Sequence, residues 1–148
     1  MKDVLEFKTA INLESVSLRH VDVSFRRTNE PKKEKKHKIN LMLEYNKNFE
    51  EEGKKLVAVL TIQTPREDSH LPISVSVTYE GIFAIAGETP IEELAAFSEA
   101  AAAAILLPYV RAEITRITSL TGAPPLVIPP INVQQMFATK EPDKPQEK

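Results

Sequence analysis

Residues 89–137 limit the fold more than any other stretch of the chain. Thr89-Pro90-Ile91-Glu92 offers an N-cap hydroxyl, a proline at the first helical position and a glutamate at the third, which together satisfy the orphan N–H groups of a helix start. Leu94, Phe97, Ala101, Ile105 and Leu106 recur at helical spacing, and Ala100 to Ala104 is a run of the strongest helix former. Its smooth face lets another helix approach closely. Pro108 has no N–H to donate and its ring crowds the carbonyl of Ala104, so a kink is expected there, with the helix resuming through Ile114 and Ile117. Gly122 is placed to end it as a left-handed residue.

The next segment reads Ala123-Pro124-Pro125-Leu126-Val127-Ile128-Pro129-Pro130-Ile131. Its prolines hold the backbone extended at little entropic cost, while its aliphatic side chains cannot all favour water. Such a crossover must rest on something apolar. Asn132 with Gln135 then makes a weaker capping pair, and Val133, Met136 and Phe137 give a short helix one apolar side that ends before Pro142.

Four strand-like segments precede the helices. Val16 to Phe25 places Val16, Leu18, His20, Asp22 and Ser24 on one face and Arg19, Val21, Val23 and Phe25 on the other, an irregular pattern that a bulge near His20 explains. Ile39, Leu41, Leu43 and Tyr45 alternate cleanly. Leu56 to Ile62 is nearly continuous and reads as central; Ile73, Val75, Val77 and Tyr79 alternate with Ser74, Ser76 and Thr78. Strands followed by helices predict an α+β domain, a four-stranded antiparallel sheet with the long kinked helix and the short C-terminal helix on one face. Residues 13–139 read as that single domain, 1–12 as an arm or extra strand, and 140–148, with Pro142, Pro145 and mixed charges, as a disordered tail.

The 148 residues suffice for one core, and 42% hydrophobic against 27% charged is ordinary for a globular chain. A formal net charge of −2 gives no bulk attraction to nucleic acid or to an anionic membrane. The absence of cysteine excludes disulfides and thiol chemistry. No run of about 18 uninterrupted apolar residues suggests membrane insertion, and Met1-Lys2-Asp3-Val4 opens without a signal-like apolar core, so a cytoplasmic setting is expected.

Catalytic, metal and cofactor sites are not expected. His20, His37 and His70 share no spacing suited to a triad or metal, and four glycines leave little for a phosphate-binding loop. The basic run Lys32, Lys33, Lys35, Lys36, His37 and Lys38 lacks interleaved aromatics and is interrupted by Glu34, so it reads as a solvated loop.

Three pieces resemble the SecB protein-export chaperones: Gly81-Ile82-Phe83-Ala84-Ile85-Ala86-Gly87, then Leu107-Pro108-Tyr109-Val110-Arg111 with Ile114 following, then Pro129-Pro130-Ile131-Asn132-Val133 running to Phe137. A fainter match lies at Val21-Asp22-Val23-Ser24-Phe25. The ordered set covers roughly Leu13 to Ala138. The resemblance implies the same architecture in each subunit of a homotetramer, a dimer of dimers with long helices sandwiched between sheets. It also implies an ATP-independent holdase for unfolded polypeptide. In SecB-like chaperones the corresponding regions bind client, so Ile39, Leu41, Leu43 and Phe83 on the sheet side and Leu126, Ile128, Ile131, Val133 and Phe137 on the crossover side become the candidate polypeptide-binding residues. Asp22 matches a carboxylate that helps bind the motor ATPase SecA.

Three departures qualify the likeness. The first strand connection lacks the family's aromatic groove residues, Arg26 and Ser76 stand where further acids would fall, and the tail balances Lys140, Lys144 and Lys148 against Glu141, Asp143 and Glu147. SecA docking is thereby weakened, and the client is either an export precursor or a dedicated partner such as the antitoxin of a toxin–antitoxin pair. Other arrangements satisfy the same pattern. The apolar residues can simply pack the crossover onto the sheet, enclose a small-molecule or lipid pocket, or be consumed by contacts in a structural oligomer.

Overall fold

The computed structural model describes residues 10–26, 41–65, 73–122 and 124–138. Ile39, the basic run, His37, His70 and the segments 1–9 and 140–148 lie outside the described residues. Four strands form one antiparallel sheet: β1 (Ile11–Phe25), β2 (Met42–Glu50), β3 (Lys55–Gln63) and β4 (Ile73–Ile85), in the order β1-β4-β3-β2. Leu56, Ala58, Leu60 and Ile62 of β3 are all buried, and the pairing sets them beside Phe83, Gly81, Tyr79 and Val77 of β4. The near-continuous apolar run is therefore an interior strand, as its composition predicts.

β1 begins at Ile11, so residues 11 and 12 belong to the sheet. A strict period of two would split its apolar residues between faces. Register shifts at Leu13/Ser15 and Leu18/His20 each admit one extra residue and reset the phase. Ile11, Leu13, Val16, Leu18, Val21, Val23 and Phe25 then lie opposite Ile85, Phe83, Gly81, Tyr79, Val77, Val75 and Ile73, all on one face. The bulge expected near His20 is present, and a second one precedes it. The faces assigned from sequence are corrected, because Val16 and Leu18 share a side with Val21, Val23 and Phe25.

Between β2 and β3, Glu51, Glu52 and Gly53 all have positive φ, and the Lys54 N–H donates to the Glu51 carbonyl at 3.1 Å. A tight hairpin reversal with right-handed strand twist calls for this left-handed backbone.

The helical layer consists of α1 (Ile91–Ala96), a π turn (Phe97–Ala101) and α2 (Ala102–Ser119), together one helix of 29 residues, followed by α3 (Val133–Ala138). By length and composition the long helix could cross a membrane; here Ala102, Ala103, Leu106, Leu107, Val110 and Ile114 are buried in the core beneath it. One local expectation is corrected. Pro90 is the residue that precedes the helix, and the Thr89 hydroxyl donates to the Ala86 carbonyl at 2.7 Å, closing the turn before the helix without capping it. α2 contains Pro108, and a π turn lies upstream of it at Phe97–Ala101. Gly122 adopts φ +79 just past the helix end, as read from its position.

Gly81 sets the helix-to-sheet distance. It faces inward between Ala58 and Val16, and a Cβ built there would lie 2.8 Å from Leu106 Cδ2 and 3.2 Å from Phe83 Cε2. Leu106 thus fills a notch that only a residue without a side chain leaves open. Phe83 meets Phe97 edge to face at 5.2 Å between ring centres, extending the contact to the π turn. On the β1 side, Glu113 is buried to 8% exposure and held by a bidentate pair with Arg116, which keeps its carboxyl below the ordinary range.

Gly81→Ala should lower the unfolding free energy by about 1–3 kcal/mol, because Leu106 has no free volume to retreat into. Adding Leu106→Ala should cost less than the sum of the two single changes, measured by urea unfolding. Since the folded carboxyl of Glu113 titrates below its unfolded value of 4.5, its contribution is present above that pH and lost as pH falls through the folded value. Glu113→Gln should therefore flatten the acid limb of stability against pH below about 4.5 while lowering stability at neutral pH.

Candidate functional site

The Pro-rich crossover is strapped to α2 by side chains spaced three to four residues apart on one helix face. Arg111 Nε donates to the Ile128 carbonyl at 3.1 Å, Thr115 Oγ1 donates to the Leu126 carbonyl at 3.0 Å, and the Leu126 N–H donates to Thr118 Oγ1 at 2.9 Å. Thr118 is fully buried and passes its own hydroxyl proton to the Ile114 carbonyl at 2.7 Å. These bonds satisfy backbone groups that an irregular segment packed on a helix would otherwise leave unpaired. Extended backbone alternates its side chains, so Ile128 is buried at 2% exposure, Leu126 is half-buried and Val127 points out at 68%. An open trough of about 530 Å³ follows this seam, lined by Pro108, Arg111, Ala112, Thr115, Arg116, Val127 and Ile128.

A second feature lies at the edge of the sheet, where β2 has β3 on one side and no described strand on the other. Its inward residues run Leu43, Tyr45, Lys47 and Phe49, paired with Ile62, Leu60, Ala58 and Leu56. The Tyr45 hydroxyl donates to the Ser98 carbonyl at 2.6 Å, and Lys47 Nζ donates to Ser98 Oγ at 3.1 Å. Ser98 belongs to the π turn and is itself buried. Burial pushes the Tyr45 phenol up to about 12, so it stays a hydrogen-bond donor throughout the neutral range. α3 closes over this edge, with the Phe137 and Tyr45 ring centres 5.6 Å apart. Its start is capped as its composition suggests: Asn132 Oδ1 accepts the Gln135 N–H at 3.0 Å.

The candidate polypeptide-binding residues divide into two groups. Phe83 at 0%, Ile128 at 2% and Val133 at 3% exposure are core residues, which corrects their assignment to an accessible groove. Each is held inward for a stated reason: Phe83 by the sheet alternation, Ile128 by the crossover straps, and Val133 by the first turn of α3. Leu41, Leu43, Leu126, Ile131 and Phe137 are half-buried and rest against the core. Ile39 lies outside the described residues. Tyr45, Lys47 and Ser98 were absent from the sequence-based set. The polar ridge Arg111, Thr115 and Thr118, at positions i, i+4 and i+7, was a signal that could have found the crossover straps.

Asp22 lies on the opposite sheet face, paired in register with Ser76. Charges on β1 and β3 are matched locally, Arg19 with Glu80 and Lys55 with Glu14 and Glu51. Among the described residues no group of three or more His, Cys, Asp or Glu side chains is placed to hold a metal ion.

The family described as preprotein translocase subunit SecB matches residues 8–144. An uncharacterized protein of Methanocaldococcus jannaschii is 32% identical over 140 residues, 90% of this chain and 86% of its own length. The protein-export protein SecB of Cellvibrio japonicus is 34% identical over 104 residues, 69% of this chain and 60% of that protein. Its counterpart in Agrobacterium fabrum is 33% identical over 89 residues, covering 60% and 55%. This chain therefore aligns with less than two thirds of each of those SecB proteins. In fold it is similar to the Mycobacterium tuberculosis SecB-like chaperone Rv1957, solved with a peptide from the HigA1 antitoxin, at a TM-score of 0.61 and 16% identity over 82% of this chain and 91% of that one. With a SecB match running through nearly every described element, from β1 to α3, the chain belongs to the SecB family.

Proposed function

We propose that this protein is an ATP-independent holdase that captures unfolded polypeptide beside the free edge of β2 and the crossover. The observation that carries the reading is the set of half-buried side chains, Leu41, Leu43, Leu126, Ile131 and Phe137, on a scaffold whose core is already complete beneath them. They need not be withdrawn from the core to meet a client. Each client leucine or phenylalanine covered there would contribute roughly 1.5–3 kcal/mol before ordering costs, so single contacts are weak and several linked ones hold. With no described strand beyond it, the β2 edge adds backbone donors and acceptors for an extended segment. No catalytic step enters this reading, and release follows mass action or handover in the cytoplasm.

Export precursors suit the family, while the antitoxin peptide bound by the M. tuberculosis neighbour supports a dedicated client as the narrower reading. Ser76, a neutral residue paired with Asp22 on the outer sheet face, supports weak docking of SecA there. We assign the apolar face of β1 to contacts between copies in a homotetramer, because Leu13, Leu18, Val21 and Phe25 are 37–46% exposed along one free sheet edge.

Light scattering of a slowly folding client tests the central claim. Wild-type protein should suppress aggregation without nucleotide. Leu126→Ser with Phe137→Ser should abolish most of that protection while circular dichroism and oligomer size stay unchanged; undiminished protection by the double variant would remove the assignment. A SecA titration that shows no binding at low or high salt would favour the dedicated client.

A further inference from the structure

The edge where a client would lie carries one charge among apolar groups. Alternation along β2 puts Lys47 on the inner face between Tyr45 and Phe49, and Glu44 and Glu50 on the other face. Its ammonium does not wander, because Nζ reaches across to Ser98 Oγ at 3.1 Å while Ser98 Oγ donates to the Ala95 carbonyl. The serine oxygen thus serves as an acceptor for the lysine and fixes the charge against the π turn. Among the described residues no carboxylate lies within ion-pair distance of Lys47, whereas Arg19 and Arg116 each have one and Lys55 has two. Glu99 follows Ser98 in the π turn and forms no ion pair with it.

An ammonium held beside the Tyr45 ring, with one hydrogen bond to a neutral hydroxyl, keeps donor capacity for an anionic partner. Lys47 is itself exposed, so its pull on a charge that comes to rest there is short-ranged and screened by solvent. The chain's formal net charge is −2, so it provides no long-range pull on acids, and a preference for them would be a local property of this position.

We propose that Lys47 is a specificity-determining residue of the polypeptide site, which favours unfolded segments with an aspartate or glutamate next to bulky apolar residues over segments with a lysine or arginine there. This inference rests on the holdase reading and narrows its client class. Discrimination arises from attraction of the acid and from repulsion of the base at the same point.

The test uses three labelled peptides with the same leucine–phenylalanine core, flanked by aspartates, serines or lysines, and fluorescence anisotropy with the full chain. The aspartate peptide should bind about fivefold tighter than the lysine peptide, as expected of one partly exposed ion pair gained and one like-charge contact avoided. Raising the salt concentration should shrink the ratio. Lys47→Met should abolish the preference between the aspartate and lysine peptides, and Lys47→Glu should reverse it, with urea midpoints confirming that both variants fold. Equal binding of the aspartate and lysine peptides to the wild type, or a preference that survives Lys47→Glu, would overturn the role of Lys47 while leaving the holdase intact. Failure of the serine peptide to bind would overturn the holdase reading and this inference with it.

Discussion

The seat of Leu106 over Gly81 governs the rest of the structure. Because β4 has no side chain at that point, and Ala58 beside it has only a methyl, the long helix lies directly on the two central strands. Everything else is positioned from that contact. The π turn comes to rest over Phe83 and within reach of β2, and the crossover returns along the outer side of α2. A helix raised by one methyl would shift the hydrogen bonds from Arg111, Thr115 and Thr118 together, since close-packed interiors transmit displacement more readily than they absorb it.

The same contact explains which apolar residues are left over. The helix covers β3 and β4, so the inner face of β1 on one side and of β2 on the other is only partly shielded. β1 keeps its apolar residues on a single face through two bulges, although the described residues leave that face partly uncovered. β2 instead receives α3, the Tyr45–Phe137 ring contact and the polar tie to Ser98. One edge presents a continuous apolar face, and the other mixes aromatic, aliphatic and cationic groups.

The legibility of each feature follows from the range of the interaction behind it. The interior position of β3 was readable because a strand flanked on both edges favours an apolar run, and the helix stop at Gly122 and the helix start at Asn132 were readable because they depend on neighbouring residues. The Thr89 cap failed for a local reason, since the helix starts at Ile91 and Pro90, not Thr89, occupies the cap position. Phe83, Ile128 and Val133 were misplaced because hydrophobicity marks what leaves water and says nothing about whether core or client receives it. The tie from Lys47 to Ser98 could not be read from the sequence, since its two ends stand 51 positions apart.

The amino-acid pattern by itself determined the order and type of the elements and the α+β class, because periodicity, capping and proline placement act within a few residues, while the likeness to SecB rested on an ordered set of short motifs. Only the tertiary structure decided the phase of β1, the π turn, and which oily side chains remain at the surface. Those outcomes depend on how closely a helix can approach a sheet, and that distance is set by residues far apart in the chain, Gly81 and Leu106 first among them.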